Sequence, residues 1–259
     1  IVGCLVAISL WVMGARHGLA LVTWSICAFV LTVILVEFWK GTRARARIEG
    51  EGYAVALIHL VTRNRRRWGG YIVHVGIVMI YFAFAGAAYN VDQRQHMLPG
   101  DQMDITSPFG HTYTLTYEGL SVSLGKGQRN LLWQAIATVS VEKDGVAKGI
   151  LTTEKRQYVT SDQLMTEVGI RQTVQEDLYL ILSAMDDVDG ALSASSAAQG
   201  IDLQVLVKPF VAWIWYGGLI LALGTVIALW PSVDRRRSRG RPELDAVTTP
   251  APAMEPAVR

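Results

Sequence analysis

Cysteine is scarce in this sequence, and both copies lie in apolar stretches. Cys4 and Cys27 are the only thiols among the 259 residues, so no disulfide can link segments of the polar part of the chain. Charged residues are absent from three apolar runs, at residues 18–36, 71–89 and 209–231. Each run is close to the roughly 20 residues that a helix needs to cross a bilayer. The sequence therefore predicts three transmembrane helices and disfavours a purely soluble protein.

A fourth apolar run, residues 1–14, is too short to cross a bilayer. It has no initiator Met, no basic segment before the apolar residues and no small-residue cleavage site, so it is not typical of a signal peptide. We interpret it as a truncated transmembrane helix. We accordingly expect the chain to be the C-terminal portion of a longer protein.

Charges of the two signs are separated along the chain. Residues 37–67 carry eight Lys or Arg against three Asp or Glu, residues 90–208 carry nine against fifteen, and the tail after residue 231 carries six against four. Because Lys and Arg near the ends of spans mark the cytoplasmic side, the basic segments are expected inside and residues 90–208 outside. The basic balance indicates contact with membrane lipid and gives no indication of nucleic acid.

These patterns divide the chain into seven segments. The predicted organisation is a truncated transmembrane helix (1–14), three full transmembrane helices (18–38, 70–89 and 209–231), a basic cytoplasmic segment with an interfacial amphipathic helix (39–69), an external β domain (90–208) and a disordered cytoplasmic tail (232–259). The amphipathic helix is expected over the apolar patch at residues 53–61.

The external segment has the alternating pattern of β-strands. "HTYTLTYEGL" alternates polar with apolar or aromatic residues, and two further strands are predicted to meet in a hairpin at Asp144 and Gly145. Two more strands are predicted at "DLYLILSA" and "IDLQVLVKP". The predicted fold class is therefore an α-helical integral membrane protein with an external, mostly antiparallel β domain, a sandwich or partial barrel. His96 and His111 lie in this domain, but no spacing there is typical of a metal site or a Ser/His/Asp group.

One ionisable side chain, His74, lies inside a predicted span, in "NRRRWGGYIVHVG". Such groups are costly in a membrane and usually face a partner, a cavity or a cofactor. On a helix, Gly70 lies one turn below His74 and leaves room for a flat group, while Arg67 returns to the same face about 10 Å toward the cytoplasm. This arrangement suits a haem, with its iron on His74 and its propionates toward Arg67. Equally, His74 could bond the backbone of another span or extend to the interface.

Small residues recur in the last span. Gly218 with Ala222, and Gly224 with Ala228, form pairs at four-residue spacing. Such pairs let transmembrane helices pack closely, so both are expected in a helix–helix contact.

Three stretches together resemble the C-terminal portion of the CcmF family, cytochrome c-type biogenesis proteins of the haem-lyase type. They are "NRRRWGGYIVHVGIVMIYFAFAG", "TEKRQY" followed by "MTEVGIRQTVQEDLYLIL", and "VKPFVAWIWYGGLILALGTVIAL". The resemblance extends over about residues 37–231 and keeps the family's order of spans and external domain.

The resemblance implies a role in cytochrome c maturation in the bacterial cytoplasmic (inner) membrane, with residues 90–208 in the periplasm. Members of the family add the two thiols of an apocytochrome c CxxCH motif across the vinyl groups of haem, together with the haem chaperone CcmE and with CcmH. They also hold a separate haem b in the membrane. The histidine of the family's GGYxVHxG motif, here His74, is an axial ligand of that haem and thus of its iron.

Parts of the family pattern are absent. The tryptophan-rich WGGxWFWD signature, the two external histidines beside it and the second ligand of haem b are not found in the sequence, and neither His96 nor His111 matches a family ligand. This chain alone is therefore not expected to be catalytically competent. Two other functions are compatible with the residues: a non-catalytic assembly module whose β domain docks partners, and a proton-coupled transporter. The transporter is disfavoured because the spans lack buried carboxylates.

Overall fold

The computed structural model describes residues 1–125, 130–159, 161–186 and 199–231. The predicted disordered tail, residues 232–259, lies outside the described residues.

The described part of the chain contains five α-helices. They are α1 (Val2–Val12), α2 (Gly18–Glu49), α3 (Tyr53–Arg63), α4 (Arg65–Gly86) and α5 (Val211–Leu229). A short 3₁₀ turn, Ala87–Tyr89, follows α4. Helices α2, α4 and α5 are long and apolar enough to cross a membrane, which confirms the three predicted transmembrane helices. Helix α1 has only 11 residues.

Two helices extend beyond the apolar runs that predicted them. Helix α2 continues through the basic stretch to Glu49, where Gly50 ends it with a left-handed φ of 67°. Helix α4 begins at Arg65, five residues before the expected start, and the Oδ1 atom of Asn64 accepts a hydrogen bond from the backbone N–H of Arg67 (3.4 Å). Lys and Arg are good helix formers, so the charges mark the end of the apolar span without ending the helix.

Helices α4 and α5 are in close backbone contact through glycines on both sides. A Cβ atom on Gly76 would lie 2.6 Å from the carbonyl oxygen of Gly217, and one on Gly69 would lie 2.7 Å from the backbone N of Ala228. Separations this short leave no room for any side chain at these positions. The two helices therefore form a fixed pair.

The two small-residue pairs predicted in the last span have different outcomes. Gly224 lies in the contact, since a Cβ there would be 2.6 Å from the backbone N of Val73, and its predicted partner Ala228 lies there too. Gly218 makes no such contact with the described residues, because a Cβ at that position would meet none of their atoms within 4 Å. The contacting residue is its neighbour Gly217, and one residue on a helix is a rotation of about 100°.

The β domain is a sandwich of two antiparallel sheets. Its strands are β1 (Val91–Met97), β2 (Gln102–Thr106), β3 (Thr112–Leu124), β4 (Leu131–Lys143), β5 (Val146–Tyr158), β6 (Ser161–Glu167), β7 (Gly169–Arg171), β8 (Glu176–Met185) and β9 (Ile201–Pro209). One sheet has the order β1-β9-β8-β7 and the other β2-β3-β4-β5-β6. The predicted hairpin joins β4 to β5, with Asp144 and Gly145 both at positive φ (52° and 73°).

Alternate residues of the strands fill the space between the sheets. Fully buried examples are Met97, Leu115, Tyr117, Val139, Leu180 and Leu203. Period-two burial of this kind is what the alternating sequence predicts.

A tight corner joins the sandwich to the last span. Phe210, between β9 and α5, has a left-handed φ of 63°, which is unusual for a bulky residue. Its N–H donates a hydrogen bond to the carbonyl oxygen of Gln175 (2.9 Å), and the Nε1–H of Trp213 donates to that of Val174 (3.0 Å). Both bonds connect the start of α5 to the segment before β8. These two hydrogen bonds hold the β domain to α5 in addition to the covalent connection.

Candidate functional site

His74 lies on the face of α4 that no described helix covers. Gly69 and Gly76 face α5, while the carbonyl oxygen of Phe82 accepts a hydrogen bond from Nε1–H of Trp24 on α2 (3.0 Å). The imidazole of His74 points away from both neighbours and is exposed. Other exposed side chains lie toward the β domain on the same side of α4, namely Tyr81 and Phe84. The packing of α4 thus leaves the histidine free to meet a further group.

The ring of His74 is oriented by its own helix. Its Nδ1 lies 2.7 Å from the carbonyl oxygen of Gly70. Because a carbonyl oxygen only accepts hydrogen bonds, Nδ1 carries a proton, and a neutral ring in this tautomer has its lone pair on Nε2. A histidine that donates through one nitrogen and offers the other is the arrangement found at metal-ligating histidines. The site therefore fits an iron ligand at Nε2.

Gly70 leaves the space beside the ring open. A Cβ at this position would meet no heavy atom within 4 Å. The neighbouring glycine, Gly69, is instead pressed against the backbone of α5. Helix packing requires a glycine at Gly69. Among the described residues, no packing contact requires a glycine at Gly70, where the missing side chain leaves the space beside His74 open.

Arg67 is held by residues that the sequence did not point to. Its Nη2 lies 2.8 Å from Oε2 of Glu37 on α2, and its Cζ lies 5.3 Å from the ring centroid of Trp68 and 5.9 Å from that of Tyr71. The side chain is half exposed. Glu37 is 30 residues away in sequence, which is why spacing alone could not reveal the pair. The guanidinium is thus fixed at the basic end of the His74 helix.

The other histidines near the membrane lie elsewhere. His17, before α2, makes an edge contact with the ring of Tyr89 at a centroid distance of 4.8 Å. His59, on α3, forms a 2.9 Å hydrogen bond through Nδ1 with Glu51. This bond is the main reason why the pKa of Glu51 lies below its ordinary value. Neither histidine is in ring or hydrogen-bond contact with His74.

The two histidines of the β domain pair with carboxylates. Nδ1 of His96 lies 2.9 Å from Asp202, and this hydrogen bond raises the pKa of His96 above its ordinary value. Nδ1 of His111 lies 2.8 Å from Asp144, whose pKa is lowered first by the backbone N–H of Thr112 and then by His111. Within the described ranges, no group of three or more His, Cys, Asp or Glu could hold a metal ion.

A buried carboxylate in the sandwich was missed by sequence reasoning. Glu176, at the start of β8, is fully buried, and its Oε1 accepts hydrogen bonds from the hydroxyl of Tyr113 and from Nζ of Lys143, both at 2.8 Å. Desolvation, followed by this carboxylate, raises the pKa of Tyr113. The alternation of "EDLYLIL" could have placed Glu176 inside, but it could not name its partners on β3 and β4.

Comparisons with known proteins agree with the fold. Residues 88–209 match the family model described as the CcmF C-terminal beta-sandwich. The cytochrome c-type biogenesis protein CcmF of Escherichia coli K12 is 31% identical over 171 residues, covering 66% of this chain and 24% of that protein. CcmF of Pseudomonas fluorescens is 30% identical over 225 residues, covering 86% of this chain and 29% of that protein.

A solved structure has the same fold. The chain of "Cytochrome c Heme Lyase CcmF" superposes with a TM-score of 0.67 at 18% identity, covering 89% of this chain and 33% of that one. This chain thus spans about a third or less of the length of the proteins it matches. The family model, the relatives and the shared fold confirm the resemblance seen in the sequence. The chain belongs to the CcmF family of cytochrome c-type biogenesis proteins and corresponds to the family's C-terminal portion.

Proposed function

We propose that this chain is the C-terminal part of a membrane haem lyase that attaches haem to the CxxCH thiols of apocytochrome c. The relatives are named cytochrome c-type biogenesis proteins, and the matching structure is named a haem lyase. The attachment itself adds each thiol across a vinyl group: the S–H bond and the π bond of the vinyl group break, and one S–C and one C–H bond form, without net electron transfer. The protein would lie in the bacterial cytoplasmic membrane, with its β domain in the periplasm.

The observation that carries the proposal is the orientation of His74. With Nδ1–H bonded to the carbonyl oxygen of Gly70 at 2.7 Å, Nε2 is presented outward on the uncovered face of α4. His74 would bind the iron of haem b as one axial ligand, and Gly70 would leave room for the macrocycle beside the ring. Haem b, when bound, supplies a one-electron redox centre. The second ligand would come from outside this chain.

Arg67 would take part at the basic end of the same helix. Arg67 is the cationic residue of α4 that is closest in sequence to His74. Its side chain is half exposed and is paired with Glu37. A haem propionate would compete with Glu37 for this cation. Because a charge beside the haem changes the relative stability of its two oxidation states, we expect Arg67→Ala to shift the midpoint potential of haem b. An unaltered potential would remove the propionate role and leave the ligand role intact.

The partners of the reaction follow from the family. The haem chaperone CcmE would deliver haem, and CcmH and apocytochrome c would meet the protein on the side of the β domain. The described residues contain no grouping that identifies a catalytic side chain for the thioether step.

A maturation assay tests this function. Cells that depend on the protein would produce a reporter cytochrome c, and its covalent haem would be measured by peroxidase activity after denaturing electrophoresis. We expect His74→Ala to lose the covalent haem and His59→Ala, which changes a histidine outside the spans, to keep it. Normal maturation in the His74→Ala strain would instead favour the non-catalytic assembly module, in which the β domain only docks partners.

A further inference from the structure

A cavity of about 670 Å³ lies at the basic end of the spans, between helices α2, α3 and α4. Four cationic side chains line it, Lys40, Arg45, Arg63 and Arg67, and Glu37 is the only acidic side chain among the described residues of its wall. The cavity lies on the far side of the spans from the β domain. Of its lining residues, only Arg67 and its partner Glu37 enter the proposed haem site, through the propionate contact.

The positive charge of the cavity is only half neutralised by described residues. Arg67 pairs with Glu37 at 2.8 Å, and Arg45 pairs with Glu51 at 3.2 Å. Lys40 and Arg63 form no ion pair with any residue that the structure describes. Two cations thus remain for an anionic ligand, and both are exposed.

Asn64 lies between two helix ends in the wall of the cavity. It is the N-cap of α4 and also the C-cap of α3, so the partial positive charge of one helix end and the partial negative charge of the other meet there. The attraction for an anion therefore comes from the side chains of Lys40 and Arg63, whose ammonium and guanidinium groups suit a phosphate.

Aromatic residues place the cavity at the level of lipid headgroups. Trp68 is 4% exposed and forms part of the cavity wall. Trp39 stacks on Tyr53 nearby, with ring centroids 6.0 Å apart and planes 5° apart. Tryptophan and tyrosine are enriched where a span passes from hydrocarbon to headgroups. The cationic side of the cavity therefore lies where lipid phosphates are most concentrated.

We propose that this cavity binds the phosphate of an anionic phospholipid headgroup, with Lys40 and Arg63 as its ion partners. Basic pockets between transmembrane helices on the cytoplasmic side bind lipid headgroups in this way. The apolar side chains of Leu60 and Trp68 suit the glycerol region below the phosphate. A bound lipid would fix α3 against α2 and α4. Neither of these two ion partners takes part in the proposed haem site.

Native mass spectrometry of the 259-residue chain in detergent tests the site with two lipids, dioleoylphosphatidylglycerol and dioleoylphosphatidylcholine. The test variant is Lys40→Gln with Arg63→Gln. The matched control is Arg43→Gln with Arg66→Gln, which removes the same charge from exposed residues of α2 and α4 that do not line the cavity. We expect about 30-fold weaker phosphatidylglycerol binding for the test variant and less than about twofold for the control.

Three results would overturn the proposal. The first is an equal loss of phosphatidylglycerol binding in both double variants, which would show attraction to the basic surface in general. The second is equal binding of the two lipids by the unsubstituted chain. The third is displacement of the lipid by inorganic phosphate at equal concentration, which would identify a site for free phosphate. None of these measurements depends on haem, so their failure is distinguishable from failure of the proposed function.

Discussion

Substitution of Gly76 by alanine should separate helices α4 and α5. A Cβ at Gly76 would lie 2.6 Å from both the carbonyl oxygen of Gly217 and the backbone N of Leu221. These are backbone atoms, which cannot rotate away as a flexible side chain can. The helices would have to move apart along their contact. Alanine at Gly70, on the same helix, would meet nothing within 4 Å and serves as the matched control.

The two substitutions should have opposite effects on the free energy of unfolding. Overpacking in a close contact costs about 1–3 kcal/mol, so Gly76→Ala should destabilise the chain by about that amount. Gly→Ala inside a helix where space is free stabilises by about 0.5–1 kcal/mol, because glycine loses more backbone freedom on folding. Gly70→Ala should therefore be neutral or slightly stabilising.

Reversible unfolding in mixed detergent micelles, followed by circular dichroism, would measure both changes. The expected result is a lower midpoint for Gly76→Ala only. Equal midpoints for the two variants would refute the close contact between α4 and α5. Without that contact, His74 could no longer be placed on an uncovered face, since this placement depends on which face of α4 meets α5.

Further predictions concern the β domain. Glu176→Gln should lower the thermal midpoint of the chain, because Lys143 would lose the anion that it meets at 2.8 Å. The control, Glu142→Gln on the exposed side of β4, should leave the midpoint unchanged. Unchanged midpoints for both variants would contradict the buried pair. His96→Gln should destabilise more at pH 5 than at pH 8. Asp202 raises the pKa of His96 in the folded state. The contribution of this pair to the free energy of unfolding is therefore fully present below the ordinary pKa of histidine and is lost as the pH rises through the folded-state pKa. A destabilisation that does not change with pH would exclude this pairing.

The parts of the fold that could be predicted have a clear repeat or composition. Uncharged runs predicted the spans, Asp144 and Gly145 predicted a hairpin, and alternation predicted strands over β3, β4, β5, β8 and β9. The missed strands β1, β2, β6 and β7 all lie at sheet edges. An edge strand can be exposed on both faces, as the described side chains of β6 are, so it need not alternate.

The candidate site was only partly predictable. An ionisable residue in a span drew attention to His74 without any structure, and helical spacing placed Gly70 beside it. The hydrogen bond that fixes the ring tautomer depends on the rotamer of His74, which the sequence does not reveal. The Arg67–Glu37 pair could not be predicted either, because a contact between residues 30 positions apart depends on how α2 and α4 pack. The sequence predicted the contact at Gly218, whereas Gly217 makes it, for a related reason: a single residue decides which face of a helix is buried.

Ligation of haem b by His74 is tested most directly by the reduced-minus-oxidised absorption spectrum of the protein purified from membranes. The prediction is a b-type signal that disappears in His74→Gly, returns when imidazole is added to that variant, and is unaffected in His59→Gly. Imidazole rescue separates ligation from a structural role, since a free ligand restores coordination but not helix packing. A b-type signal that persists unchanged in His74→Gly would contradict the assignment of His74 as an axial ligand.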